Sequence, residues 1–461
     1  MEQKARNGVV QIFNYRVDFG WLSPYTQRPG GMATGTGFFI TTTGLILTNF
    51  HVIEGSSALF IQIPTLGKQK LKVKIVGVAP ERDVAILLLP KTEREMVKKT
   101  LEEIPILTLG DSDKVRPTNE VLALGYPLGE QILKSTKGIV SGWAEGYLQI
   151  DASLNGGNSG GPALNQEGEV IGINSAVKAN AQGMSLIIPS NTVISLLPAM
   201  QKTKFLLLPT MGFQYQDATQ ELIEYMQNPL PGGMYLFRVF PTYLFSRAGL
   251  SESDMVYAIN GHVVDRFGEI QVPWSTDKLS LQSYLNRLQV GQSLTFLVYR
   301  KGKRFEAKVD YLPTPRVPVS PHYPDFETID YEVFGGLVLM NLRFNHIPLI
   351  TEQRPLFNRF YNPSNQLKPK VVLVQILPGS QAQKTNIFAV GDILQSLNRV
   401  SIHTLQDVRK GLQKTTDTIS IKTDEGEVAI FSLAKVLQDE PMLIETFQYR
   451  PSQLVHVGLS R

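Results

Sequence analysis

From residue 9 to about 203, apolar residues come in short bursts, each closed off by glycine, proline or asparagine. VVQIF (9–13), GTGFFI (35–40), LILTNF (45–50), ALFIQI (58–63), VAILLL (84–89), VLALGY (121–126), LQID (148–151), EVIGINS (169–175) and MSLIIP (184–189) are rich in β-branched and aromatic side chains. Runs of this length and composition predict strands, because branched and aromatic side chains fit a pleated surface. Almost no helical periodicity interrupts them, so the pattern predicts a closed barrel or a pair of barrels. One helix is predicted to close the segment at SNTVISLLPAMQ (190–201), with Ser190 or Asn191 as its cap.

Beyond residue 203 the pattern changes and repeats itself weakly. RVFPTYLFSRAGLSESDMVYAINGHVV (238–264) aligns with QILPGSQAQKTNIFAVGDILQSLNRVS (375–401), pairing Pro241 with Pro378, Asp254 with Asp392 and Asn260 with Asn398. Each copy leads into a predicted helix, LSLQSYLNRL or TLQDVRKGLQ, and then a strand. A spacing this wide exceeds any solenoid unit, so the repeat predicts two duplicated domains. The proline-rich LPTPRVPVSPHYP (312–324) separates them, since it can neither fill a central strand nor continue a helix.

Composition narrows the chemistry. With 461 residues the chain exceeds one ordinary core, and three domains are expected. A hydrophobic fraction of 43% and a charged fraction of 19% are those of a globular protein. The formal charge is +4, and no Lys or Arg stripe forms, which argues against nucleic acid as a partner. Cysteine is absent, which excludes disulfides, thiol catalysis and cysteine metal sites. His51, His262, His322, His346, His403 and His456 form no H-x-x-x-H pair, so no metal site and no cofactor is expected. No apolar run reaches the length of a membrane helix, and MEQKARNG lacks the apolar core of a signal peptide.

Candidate chemistry centres on LNGGNSGGPA (154–163), which holds Ser159 among glycines. A serine hydroxyl needs an adjacent base, itself oriented by a third group, and two N–H donors aimed at the developing oxyanion. Gly157 and Ser159 are placed to supply those donors. His51 follows the apolar run LTNF, and Asp83 leads the run VAILLL, where partial desolvation suits an orienting carboxylate. Alone, each is an ordinary turn, an ordinary core histidine or an ordinary cap. Together, in the order His, Asp, Ser, they match the chymotrypsin arrangement and not that of subtilisins or α/β-hydrolases.

GTGFFITTTGLILTNFHVI, DVAILLL, GYPLG, GIVSG and DASLNGGNSGGPALNQEGEVIGINS resemble the Deg/HtrA serine proteases in order and spacing, 32 residues from His51 to Asp83 and 76 from Asp83 to Ser159. The GYPLG form and the divergent last domain resemble the plant-type members. The resemblance implies a mainly β chain: a chymotrypsin-like double β-barrel protease domain (1–203), a PDZ domain (204–314) and a divergent second PDZ domain (315–461), both α+β. It implies His51 as general base, Asp83 as its orienting partner, Ser159 as nucleophile, and an oxyanion hole at Gly157 and Ser159. It further implies a serine endopeptidase of protein quality control and stress response, acting on unfolded proteins, assembled as a homotrimer with hexamers as a larger form. Two other functions stay open: a chaperone or holdase with secondary proteolysis, and an interaction scaffold with a latent triad.

Finer expectations concern substrate, control and place. Ser153 stands where a trypsin-like enzyme has an acid at the floor of its specificity pocket, and Leu186 and Ile187 would narrow that pocket, although barrel-core packing accounts for them equally well. Small or medium aliphatic side chains are the expected preference. The PDZ carboxylate loops are expected at Gly212 and at Gly335 and Gly336, with peptides adding as a strand. Gly156 and Ser153 depart from the family pattern, and only nine residues separate Ser141 from Asp151. That shortness predicts a tight hairpin in place of a long sensor loop, and weak coupling, below about fivefold, between PDZ ligands and catalysis. The aromatic stretch Phe13, Tyr15, Phe19, Trp21 and Tyr25 was read as excess surface for an oligomer contact. For location, a bacterial envelope site after removal of a leader stands beside a cytoplasmic or organellar one.

Overall fold

A computed structural model describes residues 2–177, 184–275 and 277–455. The chain divides into two compact units, residues 1–16 with 31–315, and residues 17–30 with 316–461.

In the first unit, an antiparallel seven-stranded sheet runs in the order Leu71–Lys72, Ser56–Gln62, Val9–Phe19, Gln27–Phe39, Leu45–Thr48, Val84–Leu88, Lys74–Ala79. A closed barrel follows, formed by Tyr147–Ile150, Ser185–Pro189, Val170–Val177, Pro162–Leu164, Glu120–Gly125 and Lys134–Ala144. One buried cluster joins Phe38, Leu47 and Ile86 of the first sheet to Leu124, Ile173 and Ile188 of the barrel, so burial of apolar strand faces holds the two together. Gly77 lets the end of helix Ser190–Met200 lie against strand Lys74–Ala79, because a Cβ there would collide with the Met200 backbone. Two features differ from the sequence reading. An exposed helix, Lys91–Leu101, carries charged residues on most faces and so has little apolar signature; only Val97 is buried. The closing helix Ser190–Met200 exists, but neither expected residue caps it. Ser190 Oγ donates to the Gly110 carbonyl, and Asn191 Nδ2 to Asp111, so both side chains tie the helix to the loop beneath.

The same unit continues into a sheet of Phe213–Gln216, Met234–Val239, Met255–Ile259, Ser293–Arg300 and Lys303–Asp310, with a short helix, Leu281–Leu285, over it. Phe213–Gln216 is an edge strand.

The second unit contains a sheet of Tyr331–Phe334, Leu337–Asn341 and Val371–Ile376, and another of Val400–Ser401, Leu394–Leu397, Thr418–Thr423 and Val428–Ser432. A helix Leu405–Gln413 and a carboxy-terminal helix Leu433–Phe447 complete it. The repeat seen in the sequence has a shared geometry in the two units. Asp254 and Asp392 are buried, each bonded to an arginine (Arg300, Arg354) and each accepting a backbone N–H three residues upstream. Asn260 and Asn398 both adopt positive φ and accept from the backbone N–H of Thr295 and Ser420. In both copies the aspartate closes a turn and the asparagine tolerates the left-handed backbone that a larger side chain resists.

Residues 17–30 complete the second unit's core. Phe19, Trp21, Leu22 and Tyr25 pack against a cluster containing Val333, Ile350 and Tyr449. Trp21 stands edge-on to His346, whose full burial pushes its pKa down to about 3, so that the ring stays neutral. Phe13 is buried and Tyr15 lies against Phe60. Much of the aromatic stretch thus packs within the chain, while Tyr15 stays exposed.

Candidate active site

His51 and Asp83 meet because two short turns place them. Asn49 precedes a single helical turn, Phe50–Ile53, that carries His51, and a 3₁₀ turn, Pro80–Arg82, sets Asp83 in a left-handed conformation (φ 54°) just before strand Val84–Leu88. The Asp83 carbonyl accepts from Phe50 N–H and from Asn49 Nδ2, which stitches the two turns together. The Asp83 carboxylate then lies 2.8 Å and 3.0 Å from His51 Nδ1 and accepts from the His51 backbone N–H at 2.9 Å. Ser175 Oγ donates to the same carboxylate at 2.9 Å. Burial pulls the His51 pKa down, but the hydrogen bond and charge of Asp83, with the charge of Glu54, outweigh it, and the net shift is upward from 6.5.

Ser159 sits in the turn between Ile150 and Pro162, half buried. Its Oγ donates to the Ser175 carbonyl at 3.1 Å, and among the described residues no hydrogen bond joins it to the His51 ring. Ser175 thus touches both ends of the array, its hydroxyl on Asp83 and its carbonyl on Ser159. Sequence reasoning passed over Ser175 because nothing distinguishes it within GINS except its position two residues past a buried isoleucine. Gly157 adopts φ +97°, and a Cβ there would collide with the Tyr126 carbonyl, so the turn requires glycine. Among the described residues the backbone N–H groups of Gly157 and Ser159 donate to no protein acceptor. Two adjacent open donors beside a serine are what an oxyanion site needs.

The other expected residues are placed as follows. Ser153 is exposed. Ile187 belongs to the barrel core with Leu148, Ile150, Ala152 and Leu154, whereas Leu186, also buried, lies on the alternate face of the strand. Gly183, the start of that stretch, lies outside the described residues. Gly212 (φ +68°) precedes edge strand Phe213–Gln216, and its carbonyl accepts from Phe240 N–H. Gly335 and Gly336 do not form an open loop. They are the two-residue turn of a hairpin, Phe334 facing Leu337, both with positive φ, and the strand that follows is flanked on both sides by strands of the chain itself. Gly335 N–H donates to the fully buried Glu440 carboxylate of the last helix at 2.8 Å. An expected peptide-carboxylate loop is therefore filled internally.

The short hairpin was read correctly as tight: Lys134–Ala144 and Tyr147–Ile150 are joined by Glu145 and Gly146, both at positive φ. The hairpin nevertheless touches the segment around helix Leu281–Leu285. Arg287, just past helix Leu281–Leu285, pairs with Asp113 and stacks over Trp143 of the hairpin, and Gly146 lies against Asn286 and Ser283.

The double sheet and the His51–Asp83–Ser159 array define a trypsin-like peptidase domain, and the family model described as "Trypsin-like peptidase domain" matches residues 35–173. In sequence the chain is similar to relatives named DegP serine endoproteases. It is 30% identical over 311 residues to a "Probable periplasmic serine endoprotease DegP-like" of Marinomonas sp. (strain MWYL1), a match covering 65% of this chain and 61% of that protein, so it spans less than two thirds of that relative. It is 24% identical over 423 residues to "Periplasmic serine endoprotease DegP" of Escherichia coli (strain K12), covering 88% and 77%. Among solved structures, "HtrA-type protease AlgW with tripeptide" superposes with a TM-score of 0.52 at 22% identity over 68% of this chain and 96% of that one, a likeness of fold.

Proposed function

We propose that the protein is a serine endopeptidase that cleaves unfolded proteins through an acyl-enzyme. The observation that carries this reading is the pairing of open Gly157 and Ser159 N–H groups with a histidine locked onto a carboxylate, Ser175 bonding both that carboxylate and the Ser159 hydroxyl. Ser159 Oγ leaves the Ser175 carbonyl, passes its proton to His51 and attacks the substrate carbonyl. The oxyanion is received by the two N–H groups, His51 protonates the leaving amine, and water attacks the acyl-enzyme by the same route in reverse. Asp83 holds the imidazole and stabilises its charged form. Ser153 offers no counter-charge to a basic side chain, which favours aliphatic residues before the scissile bond. Edge strand Phe213–Gln216 is the proposed site of peptide addition. The DegP relatives named periplasmic support a periplasmic or envelope location. The homotrimer rests on the resemblance to Deg/HtrA proteases.

Casein digestion tests the proposal. Ser159→Ala should lower cleavage by roughly 10⁴–10⁶-fold with an unchanged melting temperature. The new carboxy-termini made by the wild type should be mainly Val, Ala, Ile or Leu. Retention of more than a few per cent of activity by Ser159→Ala would refute the assignment, and would leave the chaperone or scaffold reading in place.

A further inference from the structure

The turn around Ser159 has glycine at four positions, Gly156, Gly157, Gly160 and Gly161, so its peptide planes need restraint from outside. Every carbonyl from Gly156 to Ser159 has a donor. The Gly156 carbonyl accepts from Leu128 N–H at 2.6 Å, and that of Asn158 from Gly161 N–H at 3.0 Å. The other two are both held by Thr36. Its Oγ1 donates to the Gly157 carbonyl at 2.7 Å, and its backbone N–H donates to the Ser159 carbonyl at 2.9 Å. Within one peptide the C=O of residue i and the N–H of residue i+1 point in opposite directions, so the held Gly156 and Asn158 carbonyls set which way the Gly157 and Ser159 N–H groups face, and Thr36 fixes the Gly157–Asn158 peptide between those two and the Ser159–Gly160 peptide after them.

Thr36 is itself held. It is fully buried in strand Gln27–Phe39, its Oγ1 accepts from Tyr126 N–H at 3.0 Å, and its carbonyl accepts from Thr48 Oγ1 at 2.7 Å. The strand passes so close that a Cβ on Gly160 would collide with the Thr36 carbonyl oxygen. One hydroxyl thus joins the first sheet, the Tyr126–Gly129 turn and the Ser159 turn. Full burial keeps it from substrate.

We propose that Thr36 is a positioning residue that holds the Gly157–Asn158 peptide, and with it the oxyanion-binding N–H groups, in the productive orientation. This rests on the hydrolase reading above. A hydroxyl that only filled space would be replaceable by a methyl group of the same shape.

The test is steady-state cleavage of a chromogenic peptide by full-length Thr36→Val, Thr36→Ala and Thr36→Ser, with Ser159→Ala alongside. Thr36→Val removes the donor and keeps the shape, and kcat should fall roughly 10–100-fold, short of the loss from deleting an oxyanion donor, with KM within about twofold. Affinity for a peptide aldehyde, whose adduct places an oxyanion in the site, should fall in parallel, while the acidic limb of the pH profile stays put because His51 and Asp83 are untouched. Thr36→Ser should stay within about threefold of wild type, and Thr36→Ala serves as the loss variant if the valine protein does not fold. Wild-type kcat in Thr36→Val with Ser159→Ala inactive would overturn the role of Thr36 alone. Equal impairment of the serine and valine variants would also overturn it, assigning the effect to packing. Activity in Ser159→Ala would instead remove the hydrolase reading beneath it.

Discussion

His51 sets the pH response of the proposed chemistry. A general base must be neutral, and the Asp83 hydrogen bond and charge hold this imidazole's pKa above 6.5 against the effect of burial. Acidification should therefore cut kcat/KM with a midpoint above 6.5, measured as a pH–rate profile on a chromogenic peptide. In Asp83→Asn that upward pull is gone, so the midpoint should move down, and turnover should fall by roughly 10³–10⁴-fold as the ring loses its tautomer and orientation. A midpoint unmoved by Asp83→Asn would detach the carboxylate from the base. The sequence pointed to both partners because each stands at the end of an apolar run. It could not show Ser175 joining Asp83 to Ser159, since its contact with Asp83 spans 92 residues.

At the scale of elements, the carboxy-terminal helix Leu433–Phe447 carries a titratable group into a dry site. Glu440 donates nothing but accepts from Gly335 N–H and from the Tyr449 hydroxyl. Burial dominates and raises its pKa above 4.5 despite these two bonds. A carboxyl whose folded pKa is raised contributes stability that is present below its unfolded value and lost as pH rises through the folded value. Glu440→Gln keeps an acceptor for Gly335, and its amide can pair with the Tyr449 oxygen. It should melt at or above the wild-type temperature at pH 7.5, with the difference shrinking at pH 4, by calorimetry. Glu440→Ala should be less stable by about 2 kcal/mol or more at both pH values, because two buried donors lose their acceptor. The helix escaped the sequence reading because Pro441 lies inside it, and proline ordinarily ends a helix.

Across the first unit, Arg287 links the region of helix Leu281–Leu285 to the trypsin-like domain. Its side chain is 11% exposed, pairs with Asp113 and stacks on Trp143 and Trp274. A ligand can alter cleavage only through a contact that differs between states, and the Arg287 contact is expected to be one. A peptide with an apolar carboxy-terminus should change the cleavage rate of a separate chromogenic substrate in the full chain, and Arg287→Ala should remove at least half of that response. Arg287→Lys keeps the charge but not the planar stack, and should restore only part of it. An unchanged response in Arg287→Ala would place the coupling elsewhere.

What the sequence determined by itself was local or periodic: the short strands, the tight hairpin at Glu145–Gly146, the glycine-rich turn at Ser159 and the duplicated Asp and Asn positions. Strand propensity, turn chemistry and order along the chain act over a few residues, so they can be read without a fold. The tertiary structure alone decided which residues surround that turn and which edges remain open. Thr36 reaches Gly157 across 121 positions, and Glu440 reaches Gly335 across 105. Residues 17–30 entered the second unit's core. In each case a buried polar or aromatic group found its partner far away in sequence, because burial is satisfied by whatever the fold brings near, and a linear pattern carries no record of that.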